Sequence, residues 1–312
     1  MNIHFWGVRG SIPAPLTPQQ IQAKIAAAVQ KITPDDIKSN ESREKFLASL
    51  PEWLNGTVGG NTPCVEVTSE KGDKLIFDAG TGIRVLGKLG QPASDLHHNI
   101  LFSHFHWDHI QGLPFYDVIY NPKSSFDIYS PFEKMEDYLR QQMVAPYYPV
   151  TFDAFTKNIT FHVIEPLEKI RIGEFSIQCV RMNHPGSSYS YAITENGFKF
   201  VYATDVELTQ ADFDKSSSKA VVFQDADILV LDSQYTVEEA LRKENWGHSA
   251  FCYAIDFAVN WRIKKLYLFH HEPTYDDRKL NSILESARWY GEYITTDKVE
   301  VHLATEGLDI KL

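Results

Sequence analysis

The sequence predicts an α/β fold in which two β-sheets pack face to face with helices on their outer surfaces. Short apolar runs rich in β-branched and aromatic residues recur along the 312 residues, and each is bounded by Gly, Asn, Asp or Pro. Stretches with apolar residues at i, i+3 and i+4 lie between these runs, so that the second half of the chain alternates strand and helix. This mixture favours an αβ/βα arrangement of four layers.

The individual elements follow from the same patterns. The predicted strands are Ile3–Trp6, Cys64–Thr68, Leu75–Asp78, Ile100–Ser103, Phe175–Met182, Tyr189–Thr194, Lys199–Ala203, Ile228–Asp232 and Leu266–His270. The predicted helices are Gly82–Leu89, Phe132–Met143, Thr236–Lys243, Ser249–Trp261 and Asp276–Tyr293. Asn196-Gly197 predicts a two-residue hairpin turn between two strands, and Gly173 is expected to turn an earlier hairpin.

Residues 13–59 show a different, helical pattern. Thr17-Pro18 combines a good N-cap with a proline at the first helical position, and it opens an Ala-rich amphipathic stretch. A second helix is expected from about Pro34 to Leu50. We therefore predict one domain over residues 1–312 with a helical hairpin inserted at 13–59. The hairpin is expected to form a lid or side wall that favours small substrates; a dimer contact or a plain surface hairpin is the alternative.

Composition limits the partners and locations that the protein can have. The formal net charge of −11 argues against a broad basic surface for nucleic acid. Cys64, Cys179 and Cys252 are far apart, so that neither a disulfide framework nor a thiolate metal site is indicated. The sequence shows neither a secretory signal nor a run approaching ~18 apolar residues. We therefore expect a cytoplasmic protein without a membrane segment.

The strongest chemical signal is the run Ser103-His104-Phe105-His106-Trp107-Asp108-His109. It directly follows a predicted strand, so that its side chains lie on a loop at the end of that strand. His104 and His106 alternate and can point to the same side of an extended segment, while Asp108 and His109 can serve a second ion close by. Imidazole and carboxylate together suit zinc, manganese or iron(II). The run therefore predicts a metal site.

The pattern His104-x-His106-x-Asp108-His109 resembles the hallmark of the metallo-β-lactamase superfamily. The resemblance implies a metallo-β-lactamase fold and two divalent metal ions, with zinc expected and manganese or iron also suitable. Further landmarks of the superfamily follow in order, each at a predicted strand end. The resemblance implies the ligand set His104, His106 and His184 for one ion, Asp108, His109 and His270 for the other, and Asp205 as the bridge. His271 is an alternative to His270 as the metal ligand, but we prefer His270 because it is the residue that ends the predicted strand.

Other segments are similar to one branch of the superfamily, which contains phosphoribosyl cyclic phosphodiesterase and tRNase Z. They are Gly7–Pro13, Gly59–Cys64, Asp232–Thr236 and Trp246–Ser249. The resemblance implies that a metal-bound hydroxide, oriented by Asp108, attacks a phosphoester, and that His248 assists the leaving oxygen.

Four further residues carry secondary expectations. Asp78 could support the metal loop through its carboxylate, or it could belong to a plain strand-to-helix turn. Tyr148 lies in an aromatic loop whose rings could stack on a nucleobase, although ordinary packing is the alternative. Asn61 and Tyr235 lie in the branch-specific segments, and we expect them, with Tyr148, to contact substrate.

The function predicted from these features is hydrolysis of a small anionic phosphodiester, such as a cyclic nucleotide or a ribosyl cyclic phosphate. A tRNA 3′-end endonuclease is the nearest competing function, but the acidic charge and the absence of a long basic arm oppose it. Two more functions fit the same ligands, namely hydrolysis of a non-phosphate ester or lactone and di-iron redox or oxygen sensing. Relatives of this branch often form dimers, so that a homodimer is a further expectation.

Overall fold

Two seven-stranded sheets form the centre of the protein, in a computed structural model that describes residues 1–89, 96–294 and 299–311. The first sheet contains β1 (Asn2–Gly7), β2 (Cys64–Thr68), β3 (Lys74–Phe77), β4 (His97–Leu101), β5 (Ser125–Ser130), β6 (Ile159–Val163) and β14 (Asp309–Lys311), in the order β14-β1-β2-β3-β4-β5-β6. The second contains β7 (Ile170–Ile172), β8 (Phe175–Met182), β9 (Ser188–Glu195), β10 (Phe198–Ala203), β11 (Ile228–Asp232), β12 (Lys265–Phe269) and β13 (Glu300–Leu303), in the order β13-β12-β11-β10-β9-β8-β7.

The helices lie between and after these strands. They are α1 (Pro18–Val29), α2 (Asn40–Ser49), α3 (Glu52–Asn55), α4 (Gly82–Leu89), α5 (Trp107–Ile110), α6 (Met135–Gln141), α7 (Ala220–Phe223), α8 (Val237–Arg242), α9 (Phe251–Asn260) and α10 (Asp277–Ile294). Short 3₁₀ turns occur at Leu113–Phe115, Asp117–Tyr120, Phe152–Ala154 and Gln210–Phe213. In the described part of the chain, no helix is both long and apolar enough to cross a membrane.

Both sheets are mixed, and the position of their parallel strands determines where the chemistry lies. Strands β3 to β6 run parallel in the first sheet, and β10 to β13 run parallel in the second. The remaining neighbours pair antiparallel, including the hairpin β9–β10 that turns at Asn196 (φ 51°) and Gly197 (φ 83°). Because parallel strands end at the same edge of a sheet, the residues that follow them meet there.

The main core lies between the two sheets. Phe77 of β3 packs against Tyr202 of β10 with ring centroids 5.3 Å apart, and Phe5 of β1 lies 6.1 Å from Phe269 of β12. A second apolar cluster joins the outer face of the first sheet to α4 and α6. The predicted αβ/βα sandwich is therefore confirmed, and so is the hairpin turn at Gly173, which joins the antiparallel pair β7 and β8. The sequence did not predict β5, β6, β13 or β14.

The segment 13–59 contains the two expected helices, α1 and α2, and a third helix of a single turn, α3. Helix α1 begins at Pro18, and Thr17 caps it by accepting a hydrogen bond from the amide of Gln20 at 3.2 Å. Helix α2 begins at Asn40 rather than near Pro34, because Ser39 supplies the cap. The extra helix α3 follows Pro51 and packs on α10. Helix α3 therefore connects this segment to the last long helix of the fold, and α1 packs on α3.

A buried ion-pair network fastens this segment to the start of α10. The Asp277 carboxylate is buried and accepts hydrogen bonds from the amide of Val58 at 2.9 Å and from Lys24 Nζ. The Arg9 guanidinium lies 3.9 Å from it and donates to the carbonyl oxygens of Gly59 and Tyr275, each at 2.8 Å. Burial lowers the pKa of Arg9, and the nearby Asp277 carboxylate opposes that shift.

Replacing Asp277 with alanine should therefore destabilise the protein strongly. The change leaves the buried Arg9 guanidinium and the partly buried Lys24 ammonium without their carboxylate, and losing one partner of a buried pair costs about 3–5 kcal/mol. Urea unfolding followed by circular dichroism measures the free energy of unfolding. As a control, Glu292→Ala on the exposed face of the same helix should change it by less than about 0.5 kcal/mol. Equal effects of the two variants would contradict the role of this network.

Candidate metal centre

The structure brings all seven predicted ligands together where the two sheets meet. They form two groups in which one ligand atom of each residue lies within 4.8 Å of the others, and Asp205 belongs to both. The first group contains His104, His106, His184 and Asp205, and the second contains Asp108, His109, Asp205 and His270. The two groups match the partition that the resemblance implies.

The Asp205 carboxylate directs one oxygen toward each group. Its Oδ1 lies 3.7 Å from Nε2 of His104 and 3.7 Å from Nε2 of His184. Its Oδ2 lies 3.0 Å from Nε2 of His109 and 3.2 Å from Nε2 of His270. A single carboxylate placed in this way can share its two oxygens between two cations.

The local backbone explains why these side chains reach a common point. Asp78, Asp205 and His270 follow β3, β10 and β12, and each has a left-handed backbone with φ between 53° and 59°. This conformation is uncommon for residues other than glycine, and it is found where the surrounding structure holds it in place. It turns the chain sharply at the strand end and projects the side chain over the edge of the sheet.

Asp78 is the support for the metal loop, and not merely part of a turn. Its Oδ2 accepts a hydrogen bond from Nδ1 of His109 at 2.8 Å and another from the hydroxyl of Tyr202 at 2.8 Å. Its Oδ1 accepts from the amide of Ser103 at 2.8 Å. The Asp78 contact fixes the orientation of the His109 ring and leaves Nε2 facing the cluster.

Two other histidines are oriented in the same way by partners that the sequence did not reveal. Nδ1 of His184 lies 2.8 Å from the carbonyl oxygen of Gly247, and Nδ1 of His270 lies 3.2 Å from Oε1 of Gln234. Gly247 has a φ of 90°, and a side chain there would collide with the His184 ring. At Gly10, an added Cβ would lie 2.6 Å from the His270 ring. Both glycines are therefore needed for the close approach of backbone to ligand.

The charge of the cluster fits a divalent cation. Burial lowers the pKa of His104 well below its usual range, and it also lowers the pKa of His184, which favours neutral rings that can bind metal. Burial raises the pKa of Asp108, but His109 and His270 outweigh it and hold that pKa well below its usual range. Burial also lowers the pKa of His109, but Asp205, Asp108 and Asp78 raise it well above its usual range. Buried carboxylates that converge in this way need a positive charge among them.

Unpaired polar atoms give the same indication. Nε2 of His104 and Nε2 of His109 are buried and make no hydrogen bond. Nε2 of His109 lies 3.0 Å from Oδ2 of Asp205, but the geometry of this contact is not that of a hydrogen bond. A buried ring nitrogen without a partner is costly, and a metal ion would satisfy it. The donor set of imidazoles and carboxylates is the one that zinc, manganese and iron(II) prefer. The residues therefore fit the ions that the resemblance implies.

His248 lies at the edge of the cluster, paired with an acid whose role the sequence did not reveal. Its Nδ1 lies 2.6 Å from Oδ2 of Asp232, and its ring stacks on that of His270 with centroids 4.9 Å apart. Burial lowers the pKa of His248, but the Asp232 carboxylate outweighs this and raises the pKa to about 9. Asp232 is the last residue of β11, which lies between the parallel strands β10 and β12. Because Asp205 and His270 follow those two strands, this position was the signal that could have identified Asp232.

The three residues expected to contact substrate lie in different surroundings. The Asn61 side chain donates to Glu306 at 3.0 Å, so that its amide is already engaged. Tyr235 is buried with its ring 5.7 Å from that of His248. Tyr148 lines the cavity described next, and its hydroxyl donates a hydrogen bond to the carbonyl oxygen of Pro114 at 3.1 Å. The competing His271 points away from the cluster, with its Nε2 2.9 Å from the carbonyl oxygen of Ala304.

A cavity of about 870 Å³ opens beside the first ligand group. His104 and His106 form part of its wall, and most of the rest is aromatic or apolar. No residue of segment 13–59 lines it, and the structure describes that whole segment. The expected lid is therefore not supported.

Comparison with known proteins gives results that agree with this geometry. The family model described as "Beta-lactamase superfamily domain" matches residues 73–271, which include every residue of the two ligand groups. A Ribonuclease Z of Oceanobacillus iheyensis is 24% identical over 297 residues, which cover 78% of this chain and 93% of that protein.

Two solved structures share the fold over nearly the whole chain. The metallo-β-lactamase fold protein YhfI from Bacillus subtilis has a TM-score of 0.66 at 17% identity, with 99% of this chain and 98% of that chain covered. The short form of human tRNase Z has a TM-score of 0.63 at 18% identity, with 100% and 99% covered. At these identities the similarity shows the fold alone.

Proposed function

The chain belongs to the β-lactamase superfamily, and from that membership we propose that it is a hydrolase that cleaves a small phosphodiester with two divalent metal ions. The observation that carries the proposal is the Asp205 carboxylate, which presents Oδ1 to His104 and His184 and Oδ2 to His109 and His270. One shared carboxylate between two groups of ligands is the arrangement expected for a pair of ions.

Each of the two groups would bind one of these ions. His104, His106 and His184 would hold one ion, Asp108, His109 and His270 the other, and Asp205 both. When bound, such ions polarise a phosphoryl oxygen and lower the pKa of a coordinated water toward 7. The amide of Ser11 donates to Oδ2 of Asp108 at 2.8 Å, so that Asp108 is held in position to orient the attacking water.

His248 is the residue best placed to serve the leaving group. Asp232 holds its Nδ1, so that Nε2 is left for a departing oxygen. The backbone amides of Gln234 and Ser249 donate hydrogen bonds to Asp232 at 3.1 and 3.3 Å. These bonds hold the Asp232 carboxylate in place, and the carboxylate in turn orients the His248 ring. A positioned histidine of this kind can donate a proton or a hydrogen bond to a developing alkoxide.

The relatives named ribonuclease Z and tRNase Z support a second candidate, cleavage of RNA. Against it, the net charge is −11, and no lysine or arginine is among the residues that line the cavity beside the ligands. Proteins that bind the nucleic-acid backbone use lysine and arginine to neutralise successive phosphates. The favoured substrate is therefore a small phosphodiester, such as a cyclic nucleotide or a ribosyl cyclic phosphate, with RNA retained as the competitor in the test.

A substrate panel tests this function. We expect the protein reconstituted with zinc or manganese to hydrolyse bis(p-nitrophenyl) phosphate and cyclic nucleotides, and to lose that activity when a chelator removes the metal. The panel includes a precursor tRNA and a simple lactone under the same conditions. Efficient cleavage of the tRNA 3′ end with negligible turnover of small diesters would favour the nuclease. Turnover of the lactone alone would refute a phosphodiesterase.

A further inference from the structure

The cavity beside the ligands has a composition that the phosphodiester chemistry does not require. Seven of its lining residues are Phe, Tyr or Trp, and none of the lining residues is Lys, Arg, Asp or Glu. The ions that the two ligand groups would hold would neutralise the phosphate of the substrate, so that the cavity would receive the uncharged remainder. A second phosphate there would find no cation among these residues.

Two of these aromatic side chains are unusually exposed. Trp107 lies between the ligands His106 and Asp108 and is 81% exposed, and Tyr147 is 83% exposed. Both line the cavity, together with Phe115 and Tyr148, whose rings meet edge to face at 5.9 Å. Exposed aromatic faces beside a ligand cavity are stacking surfaces, and each base stacked on such a ring adds binding energy.

A polar atom without a partner gives the cavity a second feature. Gln142 lines it, and its Nε2 is buried without a hydrogen bond. A buried amide donor is costly unless a ligand supplies an acceptor. Glutamine amides pair with the ring nitrogens and exocyclic groups of nucleobases, for example the N6/N7 edge of adenine.

From these observations we infer that the cavity binds a nucleobase, so that the substrate is a mononucleotide phosphodiester and not a ribosyl phosphate lacking a base. This inference rests on the proposed function for the cleaved bond, but its evidence is the stacking surface of Trp107 and Tyr147 and the free amide of Gln142. The volume of about 870 Å³ lies within the ~300–1,000 Å³ of pockets that hold single small molecules.

Calorimetric binding of two probes to the full metal-loaded protein tests the inference. Adenosine 5′-monophosphate should bind more tightly than ribose 5-phosphate by about 5- to 100-fold, the range for one stacked base. Trp107→Ala and Tyr147→Ala should each remove much of this preference, and Trp107→Phe should restore most of it. Gln142→Leu should weaken the nucleotide by about 2- to 10-fold. Binding of ribose 5-phosphate should change little in all of them.

Matched controls separate this effect from damage to the fold. Trp289 is also exposed, and Gln224 also has an unpaired buried amide, but neither lines the cavity, so that Trp289→Ala and Gln224→Leu should keep the preference. Tyr147 lies on a different segment from the ligands, so that its variant tests stacking even if Trp107→Ala loses metal.

Equal affinity for the two probes in the wild-type protein overturns the inference, whatever the hydrolysis assays give. A preference that survives both aromatic substitutions overturns it as well. A base preference that depends on Trp107 and Tyr147, in a protein that hydrolyses no phosphodiester, supports the inference and refutes the proposed function. The two can therefore fail separately.

Discussion

Asp205→Asn is expected to lower kcat for phosphodiester hydrolysis by roughly 10³-fold or more, because polarisation by metal ions is worth several kcal/mol. The amide keeps the shape of the side chain but removes the negative charge that both ligand groups share. The bound metal should fall from two ions per chain to one or none. Kinetics and elemental analysis of the same purified sample measure both quantities.

Asp212→Asn is the matched control for this change. Asp212 is also buried, but it caps the turn at Gln210–Phe213 by accepting from the amide of Thr209 at 2.7 Å, away from the cluster. Its variant should keep the full metal content and most of the activity. An Asp205→Asn protein that is folded, binds two ions and turns over normally would refute the bridging role.

His248→Ala should lower kcat by roughly 10²–10⁴-fold on a diester with a poor leaving group, the usual range for losing a general acid. The metal content should not change, because His248 belongs to neither of the two proposed ligand groups. On bis(p-nitrophenyl) phosphate the loss should be much smaller, since that leaving group scarcely needs a proton. Asp232→Asn should show the same dependence on leaving group at a smaller magnitude, because Asp232 acts through the orientation and the pKa of the His248 ring and leaves the ring itself in place.

His162→Ala controls for the loss of a paired histidine elsewhere. His162 lies on β6, the outer strand of its sheet, and pairs with Asp127 at 2.9 Å, as His248 pairs with Asp232, but it belongs to neither ligand group. Its variant should be fully active. Equal losses of His248→Ala on good and poor leaving groups would contradict a role in protonating the leaving oxygen and would indicate a role in binding.

The sequence predicted most of the strongly apolar strands, but it missed the interior strand β5, in which polar and apolar residues alternate, and the edge strands whose pairing comes from the tertiary structure. Strand β11 has five buried residues and was predicted to the residue. Strand β6 is at most half-buried along its length, and β14 has three residues held by β1 from the other end of the chain. An edge strand of this kind has weak local hydrophobic periodicity, so that no local pattern reveals it.

The same distinction applies to the site. His104, His106, Asp108 and His109 lie in one short run, and local sequence revealed them. Partners that act across the fold were not predicted, because nothing local marks a carbonyl such as that of Gly247 as the acceptor for His184. Apart from the predicted metal ligands that line it, the cavity was predicted only through the aromatic loop that contains Tyr147 and Tyr148. Trp107 was overlooked as a contact, although an indole inside a ligand motif was itself a signal.

The most direct test of the central claim is a metal titration of the metal-free full-length protein. Zinc is added in steps while hydrolysis of bis(p-nitrophenyl) phosphate and bound metal are both followed. Two groups of ligands sharing Asp205 predict that activity rises until two equivalents are bound and then stops rising, and that Asp205→Asn never reaches this plateau. Saturation of activity at one equivalent, or full activity in the metal-free protein, would contradict a dinuclear hydrolase.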